Sequence, residues 1–283
     1  MVCLTPIFKK GADGRRFFFP CGRCAACINR RSNDLVLRAL NEYSKSQFQG
    51  SFVTLTYSDD FLPPEPSKQH LQNFLKRLRV LFTRHTNYSG SFKYLAVSEY
   101  GSRTKRLHYH LLFFGVPFHL TYKDKPANLA YLVNLTWAMG FTDVSPFQSE
   151  RAVIYTIKYS SKSFTDKLFF DKDSVTLLLL SKGFGAPTDV QLSMIRRKIR
   201  YLRDFYFRTG SLPVGFEHFT LRVGSRNFAI PRYFRGFLSE HDNKVYSGLV
   251  SKYIDSVSLP DDFRRLSVQY DKLYSRLYRS RAR

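Results

Sequence analysis

Acidic residues are scarce in this chain of 283: 22 Asp and Glu stand against 45 Lys and Arg, a formal net charge of +23. Such a surface repels itself unless it meets a polyanion, and nucleic acid is the leading one. An anionic membrane is the other. No segment, however, approaches the roughly 18 apolar residues that span a bilayer, and the run Leu177–Leu180 is far too short. Met1 to Lys10 lack the long apolar core of a secretory signal. The expectation is a soluble protein inside the cell. Internal repeats and low-complexity linkers are missing, which excludes a repeat array; the length allows one large domain or two small ones. Cysteine is absent beyond position 27, and disulfides are unusual in a reducing cytosol.

The cysteines that do occur sit close together: Cys3, then Cys21, Cys24 and Cys27 in PCGRCAAC. Two overlapping C-x-x-C steps with Cys3 returning suit a four-thiolate zinc knot, although the second separate pair of a zinc ribbon is missing. The alternative is reduced thiols packing a short N-terminal arm. Residues 29–46, NRRSNDLVLRALNEYSKS, predict a helix from their apolar spacing. FVTLTY (52–57) is β-branched and aromatic and predicts a strand; the prolines of SDDFLPPEPS break regular structure after it. Residues 69–82 put Leu71, Phe74, Leu75 and Leu78 on one helical face. Residues 129–139 predict a helix stopped at Gly140, and 141–147 a short strand or extended link. Beyond 165, residues 192–207 and 261–283 read as basic helices, and FAIPRYFRGFL (228–238) as an aromatic-basic loop or hinge. The charge excess favours backbone-binding surfaces there. Eighteen Tyr and 27 Phe add faces on which unpaired bases stack, though most of the Phe belongs to the core.

The most informative stretch is YLAVSEYGSRTKRLHYHLLFFG, residues 94–115. It predicts two strands, 92–97 and 107–114, joined by a basic loop whose Arg103, Lys105 and Arg106 are candidate DNA contacts. Strand side chains alternate, so His108 and His110 share one face. Two imidazoles held by a rigid apolar strand are half of a metal site. Glu99, near the end of the preceding strand, could bring a carboxylate to the same space. The other reading is two half-exposed histidines with no ligand.

A second stretch is SERAVIYTIKYSSK, residues 149–162. As a helix begun by Ser149, it lines up Tyr155, Lys158, Tyr159 and Lys162 on a stripe about 100° wide, opposite Val153, Ile154 and Ile157. A solvated Tyr/Lys face is the plain alternative. Taken together the elements predict an α+β plan of ferredoxin-like type, a central antiparallel sheet with helices mainly on one side. FVTLTY and the HYH strand would be central in it.

FVTLTY, then a Glu before HYHLLFFG, then YTIKYSSK resemble, in order, the three motifs of HUH rolling-circle replication initiators. The Y-x-x-K-Y-x-x-K form, PCGRCAAC, the Trp137–Gly140 stretch and the later IPRYF resemble the gokushovirus branch of microvirus initiators. The resemblance covers roughly residues 1–165, and the remainder only through short pieces. It implies an HUH endonuclease core at 49–165, between a Cys-rich arm and helix (1–48) and a basic, mainly helical region (166–283). It further implies nicking and rejoining of single-stranded DNA at a replication origin, in the cytoplasm of a bacterial host, alongside the host's helicase and polymerase. Mg²⁺ or Mn²⁺ would be held by His108, His110 and Glu99; histidine donors make Mn²⁺ the better chemical fit. Tyr155 and Tyr159 would be nucleophiles forming a 5′-phosphotyrosine, with Lys158 and Lys162 stabilising developing charge.

Relaxases and transposases of the same superfamily often carry a single tyrosine in this helix, which the paired Tyr-Lys repeat argues against. A non-catalytic single-strand or RNA-binding protein with a zinc knot is the rival from another class. It would be indifferent to loss of both tyrosines. A structural or DNA-packaging protein fits the charge but gives no reason for the histidine pair.

Overall fold

A computed structural model of the chain describes residues 3, 7–11, 16–22, 24–101, 104–157, 177–213, 219–223 and 226–256. By mutual contact the chain divides into two compact units, residues 36–186 and residues 1–35 with 187–283. The first contains the second half of α1 (Ala25–Lys45), then β3 (Gly50–Tyr57), α2 (Lys68–His85), β4 (Lys93–Tyr100) and β5 (Leu107–Phe114). A hairpin, β6 (His119–Tyr122) and β7 (Lys125–Asn128), leads to α3 (Leu129–Trp137) and β8 (Gly140–Pro146). Helical residues 150–157 (α4) follow, and β9 (Leu178–Leu180) closes the unit. β1 (Ile7–Lys10) and β2 (Arg16–Phe19) precede α1.

The sheet runs β8-β3-β5-β4-β9 with every pairing antiparallel. The α+β class and antiparallel sheet expected from the sequence are observed, with β5 in the middle and β3 beside it. Alternation decides what each face carries. Val53, Leu55 and Tyr57 of β3, with Leu107, Tyr109, Leu111 and Phe113 of β5, point into one core. There they meet the apolar stripe of α2 (Leu71, Phe74, Leu75, Leu78, Leu81 and Phe82) and α3's Leu129, Leu132, Val133 and Trp137. Each such side chain, fully buried, contributes roughly 1.5–3 kcal/mol relative to exposure.

Polar groups inside this core are satisfied in a chain. Tyr57 Oη lies 2.9 Å from His70 Nδ1 and 3.1 Å from Tyr109 Oη. Tyr109 Oη accepts the Ser67 N–H at 2.8 Å. Ser67 Oγ in turn accepts the His70 N–H and caps α2. Burial first, and then the neighbouring Tyr109, hold the Tyr57 phenol well above its usual range. The indole of Trp137 donates to Thr56 O at 3.1 Å. Arg77 donates to Thr136 O and Trp137 O (2.9 and 3.3 Å), covering carbonyls that the end of α3 leaves open. The chain then turns at Gly140 (φ +147°), where a Cβ would clash with Thr56 O and Ser58 N; only glycine permits so close an approach to β3.

The other face is covered too, which differs from the one-sided plan. Phe114 meets Phe147 and Phe184 at ring separations of 5.9 and 5.8 Å, and Tyr43 of α1 meets Phe147 at 6.0 Å. Arg38 donates twice to Phe184 O (3.2 and 2.9 Å), and Glu42 Oε1 accepts the Gly185 N–H at 2.7 Å. Aromatic residues late in the chain thus tie residues 36–45 of α1 to the Phe114 end of the sheet.

In the other unit, α5 (Asp189–Thr209) opens with a Thr188/Gln191 capping box and contacts α7 (Glu240–Ser256), where Lys252 Nζ sits 3.7 Å over the Tyr206 ring. The stretch read as a loop or hinge is instead ordered as β11 (Arg226–Ala229), paired with β10 (Thr220–Val223), and the short α6 (Arg232–Arg235). Among the described residues, no helix is long and apolar enough to cross a membrane. The predicted helix at 261–283 lies outside the described residues.

Candidate metal centre and tyrosine helix

The face of β5 away from α2 and α3 carries His108, His110, Leu112 and Phe114. β4 continues to Tyr100, three residues beyond the predicted strand end, because Ser98–Tyr100 extend the ladder opposite Tyr109–Leu107. That extension puts Glu99 inside the strand and directly opposite His108. Cross-strand partners share a face, so the carboxylate reaches the histidines without help from the loop. Glu99, His108 and His110 each offer a ligand atom within 4.8 Å of the others.

The orientation of each ring has an identifiable cause. His108 Nδ1 is 3.1 Å from Arg106 O. A carbonyl can only accept, so Nδ1 carries the proton and Nε2 keeps its lone pair. His110 Nδ1 is 3.2 Å from Thr54 Oγ1, and its Nε2 lies 3.1 Å from Glu99 Oε2. That carboxylate oxygen is buried yet makes no aligned hydrogen bond. Such an oxygen is costly to keep, and a cation shared with the two Nε2 atoms removes the cost. The His110 ring is wedged between Phe52, stacked at 5.1 Å and 22°, and His108 at 4.7 Å. Burial first, and then the charge His110 would carry, lower the pKa of His108, which keeps it a neutral ligand. The His110 and Glu99 side chains are 12% and 19% exposed, so the cluster is reachable from solvent. Two nitrogens, one carboxylate and open positions form a donor set suited to a divalent first-row cation.

The basic loop is more structural than its composition suggests. Arg106 Nε donates to Tyr57 O at 2.9 Å and its Nη1 pairs with Asp59 at 2.7 Å, while its carbonyl orients His108. Lys105 is exposed, and Arg103 lies outside the described residues. In α4, Ser149 Oγ accepts the Ala152 N–H at 3.4 Å. Val153 and Ile157 are buried, whereas Tyr155 is 70% exposed. Lys158, Tyr159 and Lys162 lie outside the described residues. The four cysteines also converge, at the start of α1.

Sequence reasoning missed Thr54 and Phe52, the residues that seat His110. Alternation within FVTLTY already assigns both to the face opposite Val53 and Leu55. Their pairing across from His110 and Leu112 is a matter of register, which no local pattern states.

Residues 50–164 match the family model of the Replication-associated protein ORF2. The chain is similar to Replication-associated protein ORF2 of Spiroplasma virus 4, 27% identical over 263 residues, which is 87% of this chain and 76% of that protein. It is 26% identical over 260 residues to Replication-associated protein ORF4 of Chlamydia phage 1, covering 86% of this chain and 60% of that one. It is also 33% identical over 102 residues to Replication-associated protein VP4 of Bdellovibrio phage phiMH2K, 35% of this chain and 32% of that protein. No solved structure is significantly similar to it.

Proposed function

We propose that this chain, a relative of phage replication-associated proteins, is an HUH-type rolling-circle replication initiator. Its ferredoxin-like core, residues 49–165, nicks and rejoins single-stranded DNA at a replication origin in a bacterial cytoplasm. The observation that carries the reading is the Glu99–His108–His110 cluster, with three ligand atoms within 4.8 Å on one sheet face. His108 and His110 each offer Nε2 and Glu99 offers Oε2, while Arg106 O and Thr54 Oγ1 keep the rings in that orientation. A divalent cation bound there, Mn²⁺ in preference to Mg²⁺ for two nitrogen donors, polarises a non-bridging oxygen of the scissile phosphate.

The nucleophile is a phenol of the tyrosine helix. Its oxygen bonds to phosphorus as the bond to the 3′ oxygen breaks. The phenol proton is lost, and the departing 3′ oxygen gains one. The chain then holds the 5′ end as a phosphotyrosine, leaving a 3′-OH for a host polymerase. A free phenol has a pKa of about 10, so Lys158 and Lys162 matter as cations beside the phenolate and the charge developing on phosphate. Lys105 and Arg103 contribute to holding the DNA backbone.

Reach is consistent with this role. β8 ends beside Ser51, three strand residues, about 10 Å, from the row of Thr54 and His110. A helix rises about 1.5 Å per residue, so residues 150 to 159 span roughly 13 Å. A helix doubling back along the sheet therefore carries Tyr155 and Tyr159 far enough to meet the cluster.

Thr54 acts through His110, so Thr54→Val is expected to weaken Mn²⁺ affinity by about 10–100-fold. Thr54→Ser should retain most of it. Calorimetric Mn²⁺ titration of the free protein reads this directly, and unchanged affinity in Thr54→Val would remove Thr54 from the site. The reading as a whole is tested with 3′-labelled single-stranded DNA of the genome that encodes the chain. The DNA is incubated with Mn²⁺ and run on a denaturing gel with and without protease. A metal-dependent cut whose downstream fragment is retarded until protease is added is the expected result. Salt-sensitive binding with neither cut nor adduct, in Mn²⁺ or Mg²⁺, would establish the non-catalytic binder instead.

A further inference from the structure

The second cluster of metal-ligating side chains is separate from the histidine face. Cys3, Cys21, Cys24 and Cys27 bring four sulfurs within 4.8 Å of one another. Cys3 Sγ is 3.9 Å from Cys24 Sγ, and Cys21 Sγ is 4.0 Å from Cys27 Sγ. A disulfide requires about 2.05 Å, and none of the four is disulfide-bonded. Sulfurs about 2.3 Å from a central Zn²⁺, at the corners of a tetrahedron, stand about 3.8 Å apart. The two distances join different pairs of the four residues, so they are opposite edges of the quartet, and both approximate a tetrahedral edge. Thiols packed merely as small apolar groups have no reason to converge four at a time.

The surroundings suit thiolates. The Cys21 N–H donates to Cys3 Sγ at 3.2 Å and the Cys24 N–H to Cys21 Sγ at 3.3 Å, and donors of this kind favour charge on sulfur. Cys24 immediately precedes α1 and Cys27 lies in its first turn, where the helix dipole favours negative charge. There is also something for a metal to hold. Between Cys3 and Cys21 the chain forms the β1–β2 hairpin, only four residues per strand and the sole pair in its sheet. An isolated hairpin is marginal in water. At its closing end Ile7 pairs with Phe19, and these are 52% and 48% exposed, so burial does little to secure it.

We infer that Cys3, Cys21, Cys24 and Cys27 bind one structural Zn²⁺ that closes the base of the β1–β2 hairpin and fastens it to the start of α1. The site is closed, with four protein ligands and no open position, so its role is to hold structure and not to take part in a reaction. It is independent of strand cleavage: either reading survives failure of the other.

The test is elemental analysis of the full chain purified without chelator, followed by replacement of the metal with Co²⁺. One zinc per chain is expected, together with the visible absorption of tetrahedral thiolate-bound Co²⁺. The stoichiometry should persist in His108→Ala/His110→Ala and fall to zero in Cys24→Ser/Cys27→Ser. If that cysteine variant does not fold, thiol titration of the wild-type protein decides the matter: the four thiols should be protected before zinc removal and reactive after it. Zinc-free protein with freely reactive thiols, iron in place of zinc, or zinc lost from the histidine variant alone would each overturn the inference.

Discussion

Replacing His108 and His110 together by alanine is expected to lower Mn²⁺-dependent strand cleavage by at least about 10³-fold. A Lewis acid at a phosphate supplies several kcal/mol of transition-state stabilisation, and each 1.36 kcal/mol is a factor of ten in rate. Removing both nitrogen donors leaves Glu99 alone, and a single carboxylate does not hold the cation. Single-stranded DNA binding should survive with its salt dependence nearly unchanged. That affinity comes from the excess of Lys and Arg behind the net charge of +23, to which a neutral His108 adds nothing. The fold should survive as well, because both rings lie on the face opposite the α2–α3 core. Cleavage rates, salt-dependent binding and circular dichroism on the same preparation separate these outcomes. Cleavage retained within threefold of wild type would remove the histidine pair from the chemistry.

Loss of both phenolic oxygens, in Tyr155→Phe/Tyr159→Phe, is expected to abolish the covalent protein–DNA adduct completely, since phenylalanine has no atom able to attack phosphorus. The single variants are the more informative. A displaced strand has to be cut again while one tyrosine still holds the previous 5′ end. Two tyrosines one helical turn apart can alternate at a single cation. Each single variant should therefore still form an adduct through the remaining tyrosine, or make a first cut, yet fail in repeated turnover on circular template. Tyr155 is 70% exposed, so its hydroxyl can be deleted at a stability change within about 0.5 kcal/mol, and lost activity is not lost folding. Adduct counting together with multi-round product analysis reads both. Undiminished turnover in both single variants would refute alternation, and an adduct persisting in the double variant would refute tyrosine attack.

Some of this molecule can be read directly from its sequence. The two-residue period of LHYHLLFF is enough to set His108 and His110 on one face and Leu107, Tyr109 and Leu111 on the other. The spacing of Leu71, Phe74, Leu75 and Leu78 likewise marks the buried stripe of α2, and the charge excess follows from counting. Each of these depends on local geometry, which repeats along the chain whatever the remainder does. β9 shows the opposite case. Leu178–Leu180 is a short apolar run with no alternation, and only the free edge of β4 makes it a strand. The β6–β7 turn was equally silent. Lys123 and Asp124 adopt positive φ there (49° and 61°) without the Asn-Gly or Asp-Gly pair that usually announces such a turn.

The chemistry-bearing residue types, their order along the chain and the face each takes were determined by sequence alone, because side-chain identity and backbone period are local properties. The tertiary structure decided which of them meet. Glu99 stands opposite His108 because β4 and β5 pair in one register and β4 runs on to Tyr100. Thr54 supports His110 because β3 lies on the other side of β5. Arg106, basic and loop-borne, is turned from a DNA contact into a brace by the Tyr57 carbonyl and Asp59. Cys3 meets three cysteines that follow it by 18 residues or more. Strand register and long-range closure are set by the summed burial of many side chains, and no short stretch of sequence contains that sum.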